Sequence, residues 1–121
     1  MKIRSLEKEK SFIPEFMGNR DLPESEQITV NIKRFPNNGE VAKVTSFKRD
    51  SSGKVELSYD EDYMLKNMIG SITGIELPSS FKTITNGSSL IMSEAIELRP
   101  LIVEIRDYLL KTSEVITEGE S

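Results

Sequence analysis

The clearest pattern lies between Gln27 and Phe35, where Ile28, Val30 and Ile32 alternate with Thr29, Asn31 and Lys33. A period of two carried by β-branched residues predicts a strand with one face in the core. Pro36-Asn37-Asn38-Gly39 then reads as a turn. Val41, Val44 and Phe47 lie three apart, which permits a short helix, but the stretch to Arg49 is rich in β-branched residues and a strand is the expectation. Asp50-Ser51-Ser52-Gly53 makes a turn and Lys54 to Tyr59 alternates again, so the two runs predict a hairpin.

After Tyr59 the spacing becomes helical. Ser58 or Asp60 can cap a helix that starts near Glu61, and the carboxylates of Asp60, Glu61 and Asp62 suit the positive end of its dipole. Tyr63, Met64, Leu65, Met68, Ile69 and Ile72 supply an apolar stripe, and Gly70 or Gly74 is expected to end the helix. A short strand is expected over Gly74–Pro78, and Asn86-Gly87 predicts a tight reversal between Thr83 and Leu90. The last helix is expected to follow Ser93 and run to about Ser113 on Leu98, Leu101, Ile102, Ile105, Leu109 and Leu110. Pro100 is tolerable only in a first turn, which moves its start to near Arg99.

Residues 1–27 are interrupted by Pro14, Gly18 and Pro23 and read as an extended arm. Its segment Phe12-Ile13-Pro14-Glu15-Phe16 is expected to dock, either on its own domain or on a neighbouring subunit. Residues 114–121 read as an acidic tail. The expectation is an α+β domain over residues 28–113, with a small antiparallel sheet and two amphipathic helices on one face.

Composition narrows the chemistry. The chain of 121 residues suits one domain, and 36% apolar against 30% charged residues leaves a modest core. It has no cysteine and no histidine, which removes thiolate chemistry, the usual general base and the commonest transition-metal ligand. A formal net charge of −4, with mixed signs, argues against broad attraction to nucleic acid or anionic membrane. The first ten residues lack the apolar core of a signal peptide, and no run is long enough to span a bilayer. The expected setting is a cytoplasm or a particle assembled there, and no cofactor is expected.

The remaining candidates are weighed one by one. Asp60-Glu61-Asp62 with Glu56 could hold a divalent cation, but a capped helix N-terminus explains the same residues. Gly70-Ser71-Ile72-Thr73-Gly74 lacks the lysine of a phosphate loop, and Asn86-Gly87-Ser88-Ser89 has no base beside its serines. Lys33, Arg34, Lys43, Lys48 and Arg49 could form a basic patch with Phe35 and Phe47 nearby, although solvated strand edges account for them as well. Met64, Met68 and Met92 suit either a core or an adaptable binding surface. Val103 and Tyr108 lie partly off the apolar face of the last helix. The candidate partner-binding residues are therefore Phe12, Ile13, Phe16, Met17, Val103 and Tyr108, and no catalytic site assembles.

Both ends of the chain carry a resemblance. Phe12-Ile13-Pro14-Glu15-Phe16-Met17-Gly18-Asn19-Arg20-Asp21-Leu22-Pro23, running into the strand Gln27–Phe35, resembles the opening of small bacteriophage proteins of the tail-assembly-chaperone type. Thr85-Asn86-Gly87-Ser88-Ser89-Leu90, then the helix Leu98–Leu110 and Ser113-Glu114, resembles their finish. Such proteins place a helix after the first strand, near a Thr-x-x-Glu signal; here Pro36-Asn37-Asn38-Gly39-Glu40 stands in its place and the helix is expected to be missing or altered. The resemblance implies a non-enzymatic role, either holding aggregation-prone tail components until they polymerise or sitting at a joint of the particle. It implies protein subunits of a phage tail or capsid as partners, with self-association a further option, in the host cytoplasm or the assembled virion. The rival reading is a small nucleic-acid-binding or regulatory protein that uses the basic residues.

Overall fold

The computed structural model describes residues 9–111, and over these the chain is α+β with antiparallel strands. Strands β1 (Ser11–Phe12), β2 (Thr29–Ile32) and β5 (Ile69–Thr73) form one sheet with β2 in the centre. Strands β3 (Thr45–Arg49) and β4 (Val55–Tyr59) form a separate hairpin. The described residues thus hold two small sheets where a single one was expected. Four α-helices complete this part of the chain: α1 (Asn38–Val44), α2 (Glu61–Met68), α3 (Gly87–Ile91) and α4 (Arg99–Leu109).

The alternation read from the sequence places Val30 and Ile32 in the core and leaves Thr29 and Asn31 half-buried. Met64, Leu65 and Met68 of α2, Leu90 of α3, and Leu101, Ile105 and Leu109 of α4 close the core over them. Each side chain buried this way contributes about 1.5–3 kcal/mol relative to exposure. Asp60 caps α2, its carboxylate accepting from the Tyr63 N–H at 3.0 Å. Pro100 sits in the first turn of α4, where its missing N–H costs nothing.

Four local readings change. Pro36–Gly39 is no simple turn, because Asn37 starts α1 with a capping box: its side chain accepts from Glu40 N at 2.9 Å, and its own N–H donates to the Glu40 carboxylate at 3.3 Å. A helix therefore does follow β2. Second, α2 stops at Met68 rather than at Gly70 or Gly74. The Met68 carbonyl accepts from Lys33 N at 2.8 Å, and Ile69–Thr73 pairs with β2 instead. Gly74 ends that strand at φ +89°, where a methyl would collide with the Gln27 backbone. Third, Asn86 is the cap of α3, with Ser89 closing its capping box, and Gly87 packs so tightly on the Leu65 carbonyl that a side chain would overlap it. Fourth, no strand forms over residues 74–78, which belong to an irregular stretch before α3.

The segment read as an extended arm docks on its own domain and contributes to this same core. Phe12 pairs with Val30 in register, is 7% exposed, and stacks on the Tyr108 ring of α4 at 4.2 Å between centroids. The Glu104 carboxylate of α4 accepts from the N–H groups of Glu15 and Phe16 at 2.6 and 3.0 Å. Asn19 fixes the other end of the segment and is buried. Its Nδ2 donates to the carbonyls of Pro14 and Ile28 at 2.9 and 3.0 Å, and its Oδ1 accepts from Ile28 N at 2.6 Å. The last helix ends at Leu109, and the acidic tail over 114–121 lies outside the described residues.

Two measurements test this account. Asn19→Ala leaves three backbone groups without partners, so it should cost about 2–4 kcal/mol in urea unfolding. Gln27→Ala removes only exposed bonds to the carbonyls of Arg20 and Leu22 and should cost under about 1 kcal/mol. Equal small losses would contradict the role given to Asn19.

The second concerns Glu40. Its carboxylate receives the Arg34 guanidinium at 2.6 and 2.8 Å, the Asn37 N–H and the Tyr63 hydroxyl, which donates at 3.0 Å. These bonds, the Arg34 pair foremost, hold it down at about 2 against an ordinary 4.5. Folding favours the ionised form, so the stabilisation is complete above 4.5 and is lost as pH falls through about 2. In thermal melts taken across that window, Glu40→Gln should flatten the acid dependence. Melts that run parallel to wild type would contradict it.

Candidate interaction surface

The hairpin lies outside the hydrophobic core cluster of the described residues. Cross-strand partners share a face, so the register puts Thr45 with Tyr59, Phe47 with Leu57 and Arg49 with Val55 on one side. Ser46, Ser58, Lys48 and Glu56 lie on the other, where the two serine hydroxyls are 2.7 Å apart. Only the base of the hairpin meets the body: Thr45 and Tyr59 are half-buried, and the Arg106 guanidinium lies over the Tyr59 ring at 4.7 Å. Beyond that pair the apolar side stands in solvent, with Phe47 73%, Leu57 53% and Val55 48% exposed.

The tip is held by its own turn. Asp50 Oδ1 accepts from Ser52 N at 2.9 Å, Ser52 Oγ at 2.6 Å and Lys54 N at 3.0 Å. These bonds pull the Asp50 carboxyl below the usual carboxylate range, the Ser52 hydroxyl foremost. Gly53 takes φ +84°, as the turn requires.

The predicted basic patch divides. Arg34 is spent on Glu40 in a bidentate pair, and Lys43 lies over the Tyr63 ring at 4.5 Å. Lys33 follows the end of β2 and is exposed. Lys48 and Arg49 are on the hairpin, on opposite faces, and with Lys54 form no ion pair among the described residues. Phe47 is the most exposed aromatic among the described residues.

The predicted partner-binding residues separate as well. Phe12 is in the core and Tyr108 is its stacking partner, with the Tyr108 hydroxyl donating to the Glu9 carbonyl at 2.9 Å. Burial raises the Tyr108 hydroxyl above its ordinary value. Val103 is half-buried, and Phe16 packs against the core's edge. Ile13 is partly exposed. Met17 is 85% exposed and holds a left-handed backbone at φ 49°.

Met17 stands on the rim of a groove of about 660 Å³. Its apolar wall takes Phe16, Leu22 and Ile28 from before β2, Leu77 and Phe81 from the stretch after β5, and Leu98 from the turn ahead of α4. Three carboxylates line it, those of Glu26, Glu76 and Glu97, and no lysine or arginine does. None of the three forms an ion pair among the described residues.

The acidic run at α2 has separate duties. Asp60 is the cap, Asp62 pairs with Lys66 at 3.0 Å, and Glu61 receives Arg99 at 2.6 Å and Arg106 at 3.8 Å. The second Glu61 oxygen is buried without a partner. No three acidic, cysteine or histidine residues converge as a metal set among the described residues, and no helix there is long and apolar enough to cross a membrane. No family model matches the chain, and no curated protein or solved structure matches it either.

The hairpin face and the groove escaped the sequence reading for different reasons. Alternation identifies Phe47, Val55 and Leu57 as one face but not whether anything covers it. Leu22, Leu77 and Phe81 lie in segments without a period. Because Phe47 and Leu57 are exposed and outside the core cluster, Phe47→Ser with Leu57→Ser should leave the stability in urea unfolding within about 0.5 kcal/mol of wild type. A larger loss would show that this face packs on the body.

Proposed function

We propose that this chain is a non-enzymatic protein-binding component that docks through the projecting hairpin face. The observation that carries the reading is the in-register set Phe47, Leu57 and Val55, exposed on a hairpin held only at its base. Single exposed apolar residues are ordinary, whereas a grouped set on a projecting element marks an interaction surface. A two-stranded hairpin is also marginal on its own and gains stability from anything that packs on it. The resemblance of the two ends to tail-assembly chaperones supplies the class of partner, namely subunits of a phage tail or capsid.

The test is an affinity capture from the native source with wild type and with the Phe47→Ser, Leu57→Ser variant, followed by identification of proteins and nucleic acid in the eluate. Particle subunits held by wild type and lost with the variant are the expected result. Equal recovery with both proteins overturns the surface. Recovery of nucleic acid that is released by salt moves the assignment to the basic residues of the hairpin.

A further inference from the structure

We propose that the partner of the hairpin includes a second copy of this chain: the hairpin of one copy docks into the acidic groove of the next, head to tail. This rests on the protein-binding reading above and names the occupant.

Charge complementarity carries the argument. Between Thr45 and Tyr59 the hairpin holds three basic and two acidic residues, although the chain's overall formal charge is −4. Of the two acids, Asp50 is turned back into its own loop and Glu56 lies across from Lys48 on the face opposite the apolar one, while Lys48, Arg49 and Lys54 form no ion pairs among the described residues. The groove presents the opposite sign, with Glu26, Glu76 and Glu97 around its apolar wall. Each surface therefore offers what the other lacks: an apolar face with the Arg49 guanidinium beside it, and an apolar wall ringed by carboxylates. Such matching steers encounter and fixes orientation.

The two surfaces of one copy do not meet. No hairpin residue lines the groove. The groove takes Ile28 ahead of β2 and Leu98 ahead of α4, whereas the hairpin follows α1, past the other end of β2. Its base rests on Arg106, eight residues beyond Leu98; at 1.5 Å per residue that is about 12 Å along α4. Docking must then occur between copies, and the contact joins unlike surfaces. An interface of this kind closes into a ring or continues as a filament.

Sedimentation velocity on the full chain decides it. Wild type should form species larger than a monomer as concentration rises, and added salt should reverse this. Two variants separate the surfaces: Phe47→Ser with Leu57→Ser disables the hairpin, and Glu76→Lys with Glu97→Lys disables the groove. Each alone should stay monomeric. Mixed in equal amounts, each still brings one intact surface, so they should form a species of twice the monomer mass and grow no further. A groove variant that assembles as wild type does, or a mixture that stays monomeric, overturns the proposal. So does a wild type that remains monomeric at several hundred micromolar, on the order of the weakest specific contacts. If that wild type still loses captured partners on substitution of Phe47 and Leu57, protein binding stands and only self-docking fails.

Discussion

Strand β2 has a neighbour on each side, and most of the described fold depends on that. Its buried pair Val30 and Ile32 anchors the sheet to α2 and α4. On one edge it takes up β1, which brings Phe12 to Tyr108. On the other it takes up β5, and just past its end the Lys33 N–H captures the Met68 carbonyl and stops α2. Just before its start, Ile28 gives both of its backbone groups to Asn19. Four residues of strand thus set where one helix ends, where the N-terminal segment runs and where the groove opens.

What could be read from the sequence was local. The alternation of β2 and of the hairpin, the Asp60 cap and the place of Pro100 all depend on neighbours a few residues away. The errors share a cause too. Asn, Gly and Pro signal turns and helix starts alike, and only the reply of a residue three positions on separates the two. Glu40 gives that reply to Asn37, and Ser89 gives it to Asn86. For β5, Ile69 and Ile72 fit the end of a helical stripe equally well, and the pairing with β2 across some forty residues decides. Phe12 and Tyr108 were both chosen as interface residues because neither has a local role. Each is the partner the other needed.

The hairpin and the groove are what this core leaves over. The described residues close one core around β2 and leave two groups of large apolar side chains at the surface, Phe47, Val55 and Leu57 on the hairpin and Met17 and Leu22 at the groove. Those sites carry opposite charge, and both remain unsatisfied within one copy. Phe47 stands at the centre of the outlying face. A departure from consistent patterning of this kind is where functional surfaces are found.

The proposed docking also bears on how the hairpin is held. Beyond Thr45 and Tyr59 no hydrogen bond or ion pair ties it to the other described residues, so its strands are held by each other and by the Asp50 turn. Packing Phe47 and Leu57 into a groove would order it further, and the cost of that ordering is subtracted from the contact energy. The expected interface is therefore weak as a single contact and strong only when repeated. In a closed or continuing assembly every copy uses both surfaces, so one modest contact is multiplied along the array. A contact of that strength leaves monomers at low concentration and joins them as concentration rises, with ring closure supplying the one step that makes two contacts at once.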